Sequence, residues 1–173
     1  MIVLVSGRVG AGKSTLVRKA AVQLRRRGVP LAGFRSERVF GGDELRGYDL
    51  VDLADGKRTP WLRRGSAGER IGPYAVVPEG KAAAAEIIGR GPTGAILVVD
   101  ELGPAELAGR GFWPWLVPLL DDEGRSFLFV VRTACLPAFK KLFAGRPVRI
   151  FRTGPRALPE NLVSLILAHG RQG

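Results

Sequence analysis

The chain opens on an arrangement that leaves few folds available to it. An apolar run, Ile2-Val3-Leu4-Val5, leads into Gly7-Arg8-Val9-Gly10-Ala11-Gly12-Lys13-Ser14, and apolar residues at helical spacing follow (Leu16, Ala20, Leu24). This is G-x-x-x-x-G-K-[ST] between a buried strand and a helix, the context that gives the pattern physical meaning. Glycines let the backbone curl until successive N–H groups converge on a phosphate chain, and bulkier side chains would block that approach. The positive N-terminal end of the helix that begins near Gly12 adds to the same anion site. Lys13 is placed to reach the outer phosphates, and the Ser14 hydroxyl to ligate Mg²⁺. Gly7, Arg8, Val9, Gly10, Ala11, Gly12, Lys13, Ser14 and Thr15 are therefore expected to bind a nucleoside phosphate.

At 173 residues, 46% apolar and 25% charged, the chain is expected to form one domain over residues 1–173 with a core of its own. No apolar run approaches the roughly 18 residues of a transmembrane span, and no basic segment with a cleavage site precedes the first strand. Cys135 is the sole cysteine, which excludes an intramolecular disulfide, and with the glycine-rich loop this predicts a cytoplasmic protein with no membrane partner. A monomer is the expected state. The net charge of +11 favours anionic partners, nucleotides and nucleic acid among them. Yet the basic residues are dispersed, and the longest run, Arg25-Arg26-Arg27, closes the first helix, where the dipole favours cations. Nucleic acid is thus an electrostatically allowed partner that no motif supports.

Along the chain, the first helix is expected to run to about Arg27, stopped by Gly28 and Pro30. Leu31–Phe34 reads as a second short strand, followed by a meander of Ser36–Phe40 and Leu45–Leu53 with glycine turns. Residues 57–80, rich in Pro and Gly, read as loop with brief extended pieces. Lys81–Ile88 is an alanine-rich helix ended by Gly89. Ala95–Val99 is a continuous apolar run, the mark of a central parallel strand covered on both faces. Helices are expected over Phe112–Leu120 and Leu136–Phe143, strands over Phe127–Val131 and Val148–Phe151, and a last helix with Leu162, Leu165 and Ile166 on its apolar face. This alternation predicts an α/β fold, a mostly parallel sheet with a small antiparallel hairpin insertion after the second strand.

The run Ala95–Val99 ends in Asp100-Glu101. In proteins with such a phosphate loop, an acid at the end of a neighbouring strand helps to hold Mg²⁺, and a second acid can orient or deprotonate water. Consecutive side chains at a strand end point different ways, so Asp100 can face the metal and Glu101 the water. A tandem acid pair suits hydrolysis better than transfer to an acceptor hydroxyl, because Glu101 supplies the water-activating group.

The segment Asp100-Glu101-Leu102-Gly103-Pro104-Ala105-Glu106-Leu107 resembles the D-E-[IL]-G-x-x-E-L stretch of the small P-loop nucleoside-triphosphatases first described in thermophiles, relatives of the human cancer-related nucleoside-triphosphatase. Gly33-Phe34-Arg35-Ser36-Glu37 with Arg46-Gly47-Tyr48-Asp49-Leu50 is similar to the family's G-F-x-[ST]-E … R-x-G-[FY] hairpin, and Ile71-Gly72-Pro73-Tyr74-Ala75-Val76 to its V-G-x-Y-x-V segment. Thr153–Leu158 lies where the family has T-x-x-N-R-x-x-L, with Pro155 in place of the Asn and Arg156 at the following Arg. Arg132-Thr133-Ala134-Cys135 also departs from the family pattern. The resemblance implies a three-layer P-loop NTPase fold and Mg²⁺-dependent hydrolysis of ATP, GTP and other nucleoside triphosphates. Carried over by position, Lys13 contacts phosphates, Ser14 and Asp100 serve the metal, Glu101 is the base, and Gly103 joins the nucleotide-binding residues. Glu106 is expected either to support the site or to cap the segment after Pro104.

Other residues carry weaker signals. Cys135 is expected to be a buried small residue, His169 to sit in the last helical turn, and Trp61, Trp113 and Trp115 to pack rather than stack on a base. Arg46, Arg132, Arg152 and Arg156 are the candidates for neutralising a γ-phosphate. Two other readings remain at this stage: a nucleotide or nucleoside kinase that uses residues 33–80 as an acceptor lid, and a nucleotide-gated RNA-binding module. Acceptor-dependent transfer would mark the first, and salt-dependent RNA binding the second.

Overall fold

The computed structural model describes residues 1–65 and 67–168, so the expectation for His169 lies outside the described residues. Strand β1 (Ile2–Gly7) runs into the glycine-rich loop and helix α1 (Lys13–Arg26). Strands β2 (Leu31–Gly41), β3 (Glu44–Asp52), β4 (Arg58–Arg64), β5 (Arg70–Ile71) and β6 (Tyr74–Val76) follow, then helix α2 (Pro78–Gly89). The second half comprises β7 (Ile96–Leu102), α3 (Pro104–Leu107), α4 (Trp113–Leu120), β8 (Ser126–Arg132), α5 (Leu136–Leu142), β9 (Val148–Arg152) and α6 (Pro159–Leu167).

All nine strands form one sheet in the order β5-β6-β4-β3-β2-β7-β8-β1-β9. β1 lies between β8 and β9 and is parallel to both, while β7 is parallel to β8 and β2. Alternate residues of these strands serve opposite faces. Ile2, Leu4, Leu97, Val99, Phe127, Phe129 and Val131 join one core, into which α2, α4 and α5 also pack. Val3, Val5, Ile96, Val98, Leu128 and Val130 join the other, with α1 and α6 above them. Both faces are covered, which is why these strands read as continuous apolar runs. The result is three layers: helices, sheet, helices.

The sheet is mixed rather than mostly parallel. Among the described residues four strand pairings are parallel, and four are antiparallel: β2 with β3, β3 with β4, β4 with β6, and β5 with β6. Two features of the sequence hid the size of this antiparallel wing. β2 is one strand of 11 residues rather than two short pieces. Its first half pairs with β7 as far as Phe34↔Val99, and from Phe34 onward it pairs with β3. In the stretch expected to be loop, β4 carries Pro60, which ordinarily argues against a strand interior. Pro60 faces Asp49 beside a register irregularity, where a missing N–H is tolerated.

The junction of the two halves depends on Gly33. It lies opposite Val98 with φ +95°, and a Cβ there would overlap the Val98 backbone carbonyl. Its own carbonyl accepts from Leu53 N–H at 2.9 Å, so both neighbouring strands close on it. Gly33→Ala is predicted to lower the urea midpoint at unchanged slope, a loss of about 1–3 kcal/mol. An unchanged midpoint would mean that β2 can draw away from β7 at no cost.

Candidate active site

The loop after β1 is shaped by two glycines in the left-handed region, Gly10 (φ 79°) and Gly12 (φ 75°). Ala11 N–H donates to the Arg8 carbonyl at 3.1 Å, and Leu16 N–H to the Gly12 carbonyl at 2.8 Å, which starts α1 directly from the turn. Lys13, the first helical residue, is folded back over the loop. Its Nζ donates to the carbonyls of Gly7 (3.1 Å) and Arg8 (3.3 Å) and lies 3.8 Å from Glu101 Oε2. Gly7 itself is pinned from behind, since a Cβ there would strike the Thr153 hydroxyl.

Strand β7 delivers the acid pair. Asp100 lies opposite Val130 and Leu102 opposite Val131, so Glu101 is an extra residue in the strand. The bulge re-aims the side chains. Instead of pointing to opposite faces, Asp100 and Glu101 both line one cavity of about 850 Å³ with Lys13, Ser14 and Thr15. Asp100 is 2% exposed, and its Oδ2 has no hydrogen-bond partner. Burial pushes its carboxyl up to about 7; the Ser14 hydroxyl, the Lys13 charge and the Ser36 amide pull it down, and neighbouring Glu101 pushes it further up. The Ser36 hydroxyl also donates to the Asp100 carbonyl, which ties β2 to the end of β7.

An unsatisfied buried carboxylate oxygen beside a hydroxyl is a donor set for a hard cation. Mg²⁺ takes one or two such protein oxygens and completes its shell with water and substrate phosphates. Among the described residues no group of three or more His, Cys, Asp or Glu side chains could cage a metal alone. Ser14 and Asp100 thus fit Mg²⁺.

Glu101 is held on both sides. Its Oε1 accepts from Arg132 Nε at 2.7 Å, and Oε2 faces Lys13. Arg132 ends β8, in register with Gly7 on β1. Burial disfavours the Arg132 charge, but the Glu101 hydrogen bond and charge overcome this and raise its pKa.

Residues 2–157 match the NTPase family. The chain belongs to that family. It is 37% identical over 132 residues to nucleoside-triphosphatase THEP1 of Hyperthermus butylicus, covering 75% of this chain and 70% of the relative. It is 32% identical over 164 residues to nucleoside-triphosphatase THEP1 of Methanothermobacter thermautotrophicus, covering 90% and 88%. Its fold is similar to the solution structure of a human cancer-related nucleoside triphosphatase, with a TM-score of 0.76 and 26% identity over 99% of this chain and 98% of that one.

Within this NTPase the expected site residues divide by position. Val9, Gly10, Gly12, Lys13, Ser14, Thr15, Asp100, Glu101 and Gly103 line the cavity, whereas Gly7, Arg8 and Ala11 form the back of the loop. Of the four candidate arginines, only Arg132 lines it. Arg46 pairs with Glu44 at 3.0 Å near the β2–β3 turn, and Arg152 and Arg156 line a separate cleft of about 490 Å³ with Pro155 and Asn161. Glu106 is a cap. Its Oε2 accepts from Gly103 N–H at 2.7 Å and its Oε1 from Phe112 N–H at 3.2 Å, so both oxygens are used to fold residues 103–112. Trp61 is buried and stacked on Phe112, and Cys135 is buried. Arg35, Ser36 and Arg38 also reach the cavity, although only the hairpin pattern around them hinted at a role.

The buried acid makes stability depend on pH with a definite sign. The Asp100 carboxyl is raised from 3.8 to about 7, so the stability gained from its neutral form is complete below about 4 and is lost as the pH rises through about 7. Asp100→Asn is therefore predicted to melt above wild type at pH 8 in the absence of nucleotide and metal, with the gap closing at pH 4. Equal melting temperatures at pH 8 would show that the carboxylate is solvated.

Proposed function

We propose that this chain hydrolyses nucleoside triphosphates, ATP and GTP among them, to nucleoside diphosphate and phosphate, with Mg²⁺ as its metal. The observation that carries the reading is the convergence of Lys13, Ser14, Asp100 and Glu101 in one cavity at the mouth of the glycine-rich loop, in a chain of the NTPase family. Among the described residues no helix is long and apolar enough to cross a membrane. With a lone cysteine, a cytoplasmic location is part of the same proposal.

In this mechanism the loop N–H groups and the α1 N-terminus hold the phosphate chain. Ser14 and Asp100 hold the metal, which when bound neutralises charge on the transferred phosphoryl group. Lys13 leaves the carbonyls of Gly7 and Arg8 for the outer phosphates. Glu101 orients a water and accepts its proton as the water oxygen bonds to the γ-phosphorus and the bond to the β–γ bridging oxygen breaks. Of the four arginines singled out in the sequence, Arg132 is the one that reaches this cavity: Nε holds Glu101, and the remaining guanidinium edge is available to the γ-phosphate. Such an arrangement fixes the base and the charge-neutralising group with one side chain.

Two variants separate binding from chemistry. Lys13→Ala should weaken both ATP affinity and turnover, whereas Glu101→Gln should keep affinity and lower kcat by roughly 10²–10⁴-fold. Phosphate release and nucleotide binding measured on each decide it, and normal turnover by Glu101→Gln would place water activation elsewhere.

Arg132→Ala should lower kcat by about 10²-fold or more with a smaller change in ATP affinity, since the charge it meets is largest in the transition state. A kcat near wild type at saturating ATP and Mg²⁺ would remove Arg132 from the reaction.

A further inference from the structure

The cavity at the phosphate loop does not end where the phosphates would. From Lys13 and Asp100 it continues past Glu101 and Arg132 along the antiparallel wing to Ile71, Gly72, Pro73 and Tyr74. A second cleft, lined by Arg152, Pro155 and Arg156, follows β9 on the opposite side of β1. The loop is thus flanked by two spaces. A triphosphate seated with its terminal phosphate at Lys13, Asp100 and Glu101 leaves the wing side free, because its nucleoside end points away from those acids.

The walls of the wing side have a definite chemistry. Tyr48 and Tyr74 meet edge to face with centroids 5.4 Å apart, and Trp61 lies stacked on Phe112 at 4.7 Å. The half-buried Tyr48 and Tyr74, backed by the buried Trp61–Phe112 stack, make a rigid aromatic end suited to a planar group. Arg35, Arg38 and Arg110 also line the cavity. Arg35 is paired with Glu37, and Arg110 donates to the Arg70 carbonyl at 3.1 Å. Arg38 is exposed, lies opposite Tyr48 in the strand register and makes no ion pair among the described residues. Arg38, Arg132 and Glu101 all act electrostatically on the Tyr48 hydroxyl, which places it where the aromatic end and the acid pair meet. The cavity of about 850 Å³ is at the upper end of small-molecule sites, larger than a triphosphate tail requires.

We infer that the wing side is a second-substrate site for a nucleoside monophosphate, which receives the γ-phosphoryl group in place of water. The inference rests on the triphosphate reading of the loop. The base lies against Tyr48 and Tyr74, and the monophosphate is held by Arg38 facing the γ-phosphate. An acceptor phosphate oxygen bonds to the γ-phosphorus as the bond to the β–γ bridging oxygen breaks, and the leaving diphosphate keeps that electron pair. A dianionic acceptor phosphate has no proton to lose, and a monoanionic one gives it to Glu101. Water and acceptor compete for one position, so hydrolysis is the default reaction of an empty acceptor site.

The test incubates the full chain with ATP labelled at the γ-phosphate, Mg²⁺ and each of AMP, GMP, CMP, UMP and dTMP, and separates labelled diphosphate from free phosphate. At least one acceptor should become labelled, with free phosphate falling as its concentration rises. Arg38→Ala should raise the KM for that acceptor about tenfold or more, with Arg38→Lys between the two, while phosphate release without acceptor persists. Phosphate release with no labelled acceptor and no suppression of that release overturns the inference and leaves the hydrolase reading standing. Suppression of phosphate release without labelling overturns the transfer step. Absence of both ATP binding and phosphate release in the wild type overturns the loop reading itself, and with it this one.

Discussion

Asp100 carries the strain on which the site is organised. A carboxylate is brought by a largely buried strand to a point where one of its oxygens finds no partner, and isolated burial of charge is among the most costly arrangements a protein can adopt. The surrounding groups limit that cost without removing it. The Ser14 hydroxyl and Ser36 amide bond to the carboxylate, Lys13 adds positive charge, and Glu101 opposes it. A divalent cation would complete the set. That unmet oxygen is what supports the proposal of a metal–phosphate ligand at this site.

The architecture follows from keeping that carboxylate next to the phosphate loop. β7 and β1 are separated by β8 alone, so Asp100 and the loop emerge at the same edge of the sheet. β2 then leaves β7 at Phe34 and continues as the base of the antiparallel wing, which brings Arg35 and Ser36 over the site. Gly33 permits the close pairing at that departure. One strand therefore joins the parallel and antiparallel parts of a single sheet, and the wing becomes a wall of the cavity.

The parallel half of the fold was legible because burial on both faces writes continuous apolar runs, as at Ala95–Val99 and Phe127–Val131. The wing was underestimated because the passage from apolar Leu31–Phe34 to the polar residues from Arg35 onward divides β2 in sequence although not in space, and because Pro60 disguises β4. At the site, Lys13, Ser14, Asp100 and Glu101 could be placed from motif and strand position alone. The bulge at Glu101 could not, since it depends on how β7 and β8 fall into register. Arg132 was one of four equivalent arginines until the pairing of β8 with β7 set it beside Glu101, and Glu106 declared itself a cap only through its two backbone partners. Local chemistry was readable; the meeting of distant segments was not.

The central claim is that Asp100 and Ser14 hold a metal for a triphosphate seated on the loop, and ATP affinity with and without Mg²⁺ tests it most directly. Titration calorimetry of wild type and Asp100→Asn should show Mg²⁺ tightening ATP binding to the wild type, with that gain largely lost in the variant and metal-free affinity retained. Equal Mg²⁺ dependence in the two proteins would contradict the account.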